Sequence, residues 1–203
     1  MKKCNILCGG VVEDIAQTAA RIDKEAYTIC ADSGYAYAAK LGLRADAVLG
    51  DFDSYALEQV QEKNVTVFPA RKDYTDSEIA VMYALEQGYT DITLIGALGG
   101  RIDHALGNVH LLRYIAQAGV QGSIVDGATQ MWYETKGRCV QGKPGDILSV
   151  IPLSQNGSYT TRGLEYALTA QPMPLTGISN VFTAYEAEIT AQNATFLLIH
   201  IIQ

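Results

Sequence analysis

The first 127 residues alternate short apolar runs with stretches of helical spacing, and the alternation stops near Gly127. Strands are expected over 5–8, 27–31, 47–49, 66–68, 91–95 and 123–125. Helical spacing occupies 15–20, 77–87 (stopping at Gly88) and 105–118 (stopping at Gly119). Strand and helix in repeated succession bury their apolar surfaces as a mostly parallel sheet with helices on both faces. Residues 128–203 change texture: Gly, Pro, Thr and Ser are frequent, and 146–151 and 195–202 read as strands. Turns are expected at Gly142-Lys143-Pro144-Gly145-Asp146 and Gln155-Asn156-Gly157-Ser158. The fold class expected is therefore α/β over 1–127, followed by an all-β sandwich domain over 128–203.

Charge restricts the partners. The chain of 203 residues carries a formal −7, and 1–127 holds 17 acidic against 11 basic residues. Nucleic-acid binding needs a basic stripe to displace counterions, so it is not expected. No apolar run approaches the roughly 18 residues of a membrane span. The opening Met1-Lys2-Lys3-Cys4-Asn5-Ile6-Leu7-Cys8 is too short in its apolar part for a signal peptide and reads as a buried first strand of a cytoplasmic protein. Cys4, Cys8, Cys30 and Cys139 form no Cys-x-x-Cys pair, and His104, His110 and His200 show no zinc spacing with them. Buried, reduced thiols are expected.

In an open α/β sheet, ligands bind beyond the carboxyl ends of the strands. Here those ends run into Gly9-Gly10, Asp32-Ser33-Gly34, Gly50-Asp51-Phe52-Asp53-Ser54, Arg71-Lys72-Asp73-Tyr74-Thr75-Asp76 and Gly96-Ala97-Leu98-Gly99-Gly100-Arg101-Ile102-Asp103-His104. Carboxylates, glycines and a few cations thus converge on one edge. Asp51 and Asp53, two apart, fall on the same side of an extended segment. They suit Mg²⁺, which takes one or two carboxylates with phosphate oxygens and water, and they equally suit a turn with an N-cap. Thr75 and Glu78 have capping-box spacing, which by itself explains Asp76 in a first helical turn. The glycines before Arg101 let backbone N–H groups approach an anion, Arg101 can grip phosphate at two points, and Asp103 can complete a metal site. A tight strand-to-helix turn with a surface arginine fits the same residues. Neither a P-loop nor a Gly-x-Gly-x-x-Gly fingerprint is present. Taken together, the three segments suggest phosphoryl or pyrophosphoryl transfer from a nucleotide.

Gly50-Asp51-Phe52-Asp53-Ser54, Lys72-Asp73-Tyr74-Thr75-Asp76-Ser77 and Gly99-Gly100-Arg101-Ile102-Asp103-His104 with Gly107-Asn108 resemble the motif series of the thiamine pyrophosphokinase family. So do Ala31-Asp32-Ser33-Gly34 upstream, and Thr161-Arg162-Gly163-Leu164-Glu165-Tyr166 with Gly177-Ile178-Ser179-Asn180 downstream. The resemblance covers nearly the whole chain in the family's order.

It implies an α/β catalytic domain that binds nucleotide and Mg²⁺, and a β-sandwich that helps bind thiamine. It also implies a homodimer with the site between subunits, and the reaction of thiamine with ATP to give thiamine diphosphate and AMP. Asp51, Asp53, Asp76 and Asp103 would be the metal and catalytic carboxylates, with the base open between Asp76 and Asp103. Asp32, Lys72, Arg101 and Asn108 would serve the nucleotide and its phosphates, and Tyr166, Ser179 and Asn180 would lie near thiamine. Some family members carry Asp-Gly-Gly where this chain has Asp32-Ser33-Gly34, and some carry tryptophan at Tyr166. Tyrosine still offers a π face to a cationic thiazolium, more weakly than tryptophan. The competing readings are another Mg²⁺-dependent nucleotide phosphotransferase or hydrolase, and a sensor that binds nucleotide or thiamine without turnover.

Overall fold

A computed structural model of the chain describes residues 1–50, 73–170 and 177–203, with the backbone alone of 65–67 and 171–172. The chain divides into two compact units, Met1–Gly127 and Ala128–Gln203.

In the first unit six strands pair in parallel in the order β6-β5-β1-β2-β3-β4. They are β1 (Lys3–Leu7), β2 (Tyr27–Ala31), β3 (Ala47–Gly50), β4 (Val65–Val67), β5 (Asp91–Ile95) and β6 (Gln121–Asp126). The helices are α1 (Ile15–Ala19), α2 (Tyr35–Leu41), α3 (Asp76–Glu86) and α4 (Ile102–Gln117). Parallel register sets Val125, Ile95, Leu7, Cys30 and Val48 in one row across five strands. That row packs with Ile15 and Ala19 of α1 and with Tyr35, Tyr37, Ala38 and Leu41 of α2. Alternation along each strand sends the next row, Ile124, Leu94, Ile6 and Ile29, to the opposite face. On that side Ile115 of α4 lies against Gly122 of β6, and α3 packs on α4 and on β1, β2 and β3. Both faces are covered, which is why these strands read as continuous apolar runs.

Two elements depart from the expected boundaries in an instructive way. α4 begins at Ile102, a turn earlier than its apolar spacing suggested, so that Asp103 sits in the first turn. α2 was not expected at all. Its Tyr-Ala-Tyr-Ala opening alternates like a strand and lacks a side-chain cap, and it is held by the packing of Ala38 and Leu41.

The second unit is all-β among the described residues. β7 (Thr129–Glu134), β9 (Ile147–Pro152), β12 (Gly177–Val181) and β14 (Phe196–Ile201) pair antiparallel in the order β12-β9-β14-β7. β8 (Gly137–Gln141), β10 (Ser158–Arg162), β11 (Gln171–Pro172) and β13 (Glu186–Gln192) form a second antiparallel sheet in the order β11-β10-β13-β8. Trp132, Leu148, Val150, Phe196 and Leu198 of the first sheet share one core with Val140, Tyr159, Ala187 and Ile189 of the second. This is sandwich packing, with alternate residues of each strand turned inward.

Candidate active site

From β1 the chain winds outward through β2, β3 and β4, then returns to place β5 on the other side of β1. The strand order therefore reverses between β1 and β5, and the crevice beyond their carboxyl ends is where such sheets take ligands. A cavity of about 670 Å³ opens there. Its floor is glycine. The loop after β1 and the loop after β5 touch backbone to backbone, with the Gly10 N–H donating to the Gly96 carbonyl at 3.0 Å. A Cβ on Gly10 would fall onto the carbonyl oxygens of Gly96 and Gly99, and one on Gly99 onto the carbonyl of Val11. Side chains are excluded from this contact by geometry.

Each wall is built by local chemistry. Thr75 caps α3 and receives the Glu78 N–H at 3.2 Å, while the Glu78 carboxylate receives the Thr75 N–H at 2.6 Å. The expected capping box is present, and it fixes Asp76 in the first turn of α3, on the cavity wall. Arg101 is the N-cap of α4 and Asp103 lies in its first turn, both on the wall. The two hold each other, with Arg101 Nε to Asp103 Oδ1 at 3.1 Å and Nη2 to Oδ2 at 2.5 Å. That bond, together with the His104 N–H donated to Oδ1, pulls the Asp103 carboxyl down to about 2. Asn108, one turn further along α4, donates its Nδ2 to the Ala97 carbonyl at 2.9 Å and so fastens the β5–α4 loop to its helix. Asp32, at the end of β2, is buried with φ at +45°, a left-handed backbone uncommon outside glycine. It too lines the cavity.

Asp32, Asp76, Arg101, Asp103 and Asn108 therefore surround one cavity although they come from three separate stretches. Asp51, Asp53 and Lys72 lie outside the described residues. The cavity wall also includes Ser33, Ser77 and His104, to which sequence reasoning gave no role. Their signal was adjacency to Asp32, Asp76 and Asp103. Among the described residues no group of three or more His, Cys, Asp and Glu could hold a metal ion. Asp76 at the start of α3 and Asp103 at the start of α4 each bring hard carboxylate oxygens to the lining of the one cavity. That fits Mg²⁺, which completes its shell with phosphate oxygens and water.

Tyr166, Ser179 and Asn180 belong to the second unit. Asn180 brackets the Tyr166 backbone, accepting its N–H at 3.0 Å on Oδ1 and donating Nδ2 to its carbonyl at 2.9 Å. The Tyr166 ring is left exposed. Ser179 sits where the β12–β9 register shifts, with φ at +61° and its N–H donated to Ser149 Oγ at 3.0 Å.

Residues 18–125 match the family model described as the thiamin pyrophosphokinase catalytic domain, and residues 138–195 match that described as the thiamin pyrophosphokinase vitamin B1 binding domain. The thiamine pyrophosphokinase of Bacillus subtilis (strain 168) is 30% identical over 176 residues, spanning 83% of this chain and 82% of that protein. The crystal structure of thiamine pyrophosphokinase from Bacillus subtilis matches with a TM-score of 0.88 at 24% identity over 100% of both chains, a likeness of fold. That of thiamin pyrophosphokinase from Geobacillus thermodenitrificans matches with a TM-score of 0.85 at 28% identity, over 99% of this chain and 98% of the other.

Proposed function

The chain belongs to the thiamin pyrophosphokinase family, and from that premise we propose that the cavity between β1 and β5 is where it binds ATP and transfers the pyrophosphoryl group to the hydroxyl of thiamine. The products are thiamine diphosphate and AMP. One observation carries this reading. Two carboxylates at the starts of α3 and α4, one guanidinium and two touching glycine loops face a single cavity at the switch point of a parallel sheet.

Asp51, Asp53, Asp76 and Asp103 are assigned to Mg²⁺, which when bound neutralises charge on the triphosphate. Arg101 and Lys72 hold phosphate oxygens, while Asp32 and Asn108 serve the nucleotide side. The thiamine hydroxyl has to meet the β-phosphorus opposite the departing AMP. A free aspartate, with a pKa of about 3.9, is a weak base at neutral pH. Orientation of the two substrates and fixed charge therefore supply most of the rate. Tyr166 offers its exposed ring to the thiazolium cation, and Asn180 sets the ring's backbone. Ser179 is assigned beside them. We assign the working form to a cytoplasmic homodimer whose site is completed across the subunit interface.

The test is incubation of the purified protein with ATP, Mg²⁺ and thiamine, followed by identification of both products. AMP and thiamine diphosphate in equal amounts are expected. ADP as the nucleotide product, or nucleotide release independent of thiamine, overturns the reading.

A further inference from the structure

Three side-chain hydroxyls stand on the cavity wall: Ser33, Thr75 and Ser77. Two have neighbours within the protein: Thr75 Oγ1 accepts the Glu78 N–H in the capping box, and the Ser77 hydroxyl lies beside the Cys8 thiol. Among the described residues nothing takes up the hydroxyl of Ser33.

Its position is nonetheless rigid. Ser33 lies in the 3₁₀ turn Asp32–Gly34, between a left-handed residue and a glycine whose Cβ would collide with the Leu7 carbonyl. The turn therefore sits hard against the end of β1 and cannot slide. The Ser33 Oγ occupies the notch left by the missing side chain of Gly9, close to where a Cβ on that glycine would stand. Gly9 and Gly10 line the same cavity. The hydroxyl is thus presented within the glycine-lined part of the site, where backbone and ligand approach most closely.

We propose that the Ser33 hydroxyl is a binding group for the phosphate chain of the nucleotide, donating a hydrogen bond to one of its anionic oxygens. This rests on the nucleotide reading of the cavity. A fixed neutral donor facing a charged acceptor suits this task. It adds directional binding without adding charge beside Asp32.

The test is titration calorimetry of the full chain with ATP, and separately with inorganic tripolyphosphate, both with Mg²⁺. The variants are Ser33→Ala, Ser33→Gly and Ser33→Cys, the last keeping the shape while weakening the donor. All three are expected to bind ATP about tenfold more weakly, with the same loss for tripolyphosphate and little change in the ligand-free thermal midpoint. Affinity for ATP within about twofold of the parent in Ser33→Ala and Ser33→Cys overturns the assignment. So does a loss confined to ATP, which would place the contact on the nucleoside. A parent protein that binds neither probe overturns the nucleotide reading itself, whereas a binding parent with unaffected variants overturns Ser33 alone.

Discussion

Arg101 and Asp103 face each other across the start of α4 in a two-point ion pair, both of them largely exposed to solvent. An exposed pair of this kind contributes little to stability, because water and salt screen it and two side chains must be ordered to make it. It can therefore be traded for other partners. Two oxygens of one phosphate can accept the same two-point pairing from Arg101 as the carboxylate does, and a phosphate that takes Arg101 releases the oxygens of Asp103, which lines the cavity.

The first prediction follows from that exchange. Asp103→Asn should lower kcat/KM by roughly 100-fold while leaving the thermal midpoint close to the parent's. In the free protein the Arg101 bond holds the Asp103 carboxyl at about 2. A depressed carboxyl is ionised above its ordinary range and loses its charge only as the pH falls through the lowered value. The parent's kcat/KM profile should then show no acid limb from Asp103 above about pH 3, whereas Arg101→Lys, which cannot make the two-point bond, should let the carboxyl rise toward its ordinary value of about 3.9, bringing an acid limb above about pH 3 and lowering the plateau.

A second prediction concerns the glycine floor. Gly10→Ala places a methyl against the carbonyls of Gly96 and Gly99. Backbone, unlike a flexible side chain, yields only by moving the loop. Destabilisation of about 1–3 kcal/mol is expected from the overpacking, together with loss of ATP binding, read by denaturant unfolding and by calorimetry. Gly119→Ala serves as the comparison. Gly119, unlike Gly10, has a positive φ, but a Cβ there would meet nothing within 4 Å, and it lies at the far end of α4. It should lose some stability and keep its ATP affinity.

How much of this was legible in advance depended on distance along the chain. The capping box spans three residues, and Thr75 and Glu78 were readable because their whole interaction is local. β2 and β5 were readable because buried parallel strands are apolar throughout. Arg101 and Asp103 were legible as residue types suited to phosphate and to metal, but their mutual bond depends on α4 starting at Ile102, which apolar spacing does not encode. The bracketing of Tyr166 by Asn180, fourteen residues apart, requires the two loops to meet and had no local signal.

Cysteine reactivity gives a third prediction. Burial raises the Cys4 thiol to about 12 and the Cys8 thiol to about 11, and Cys30 is fully enclosed. Cys139 alone is exposed, and desolvation and the neighbouring Glu186 carboxylate raise its thiol as well. A chromogenic disulfide reagent at pH 8 should modify one thiol per native chain, more slowly than free cysteine, and all four in denaturant. Cys139→Ser should abolish the native reaction.

The fourth prediction lies in the sandwich, where Asp146 is buried and ties three segments together. It accepts the Lys143 N–H at 2.9 Å, the Gln203 N–H at 3.1 Å and the Nε2 of His200 at 3.1 Å. An ionised carboxylate is only an acceptor, so the imidazole must supply the proton at Nε2. The His200 ring lies 5.1 Å from that of Phe182, which places the polar pair at the edge of the apolar core. Burial alone would raise the Asp146 carboxyl, but the two backbone N–H groups and His200 outweigh it, and the carboxyl is held below its ordinary value. Its stabilising contribution is therefore complete above the unfolded pKa of about 3.9 and is lost as the pH falls through the lower folded value. Asp146→Ala should cost about 2–4 kcal/mol at pH 7, because three donors lose their acceptor inside the protein. The stability gap between parent and variant, read from guanidinium midpoints, should hold from pH 7 down to about pH 5 and narrow below about pH 4. A gap that stays constant to pH 3, or one absent at pH 7, would show that this carboxylate does not hold the carboxyl-terminal strand in place.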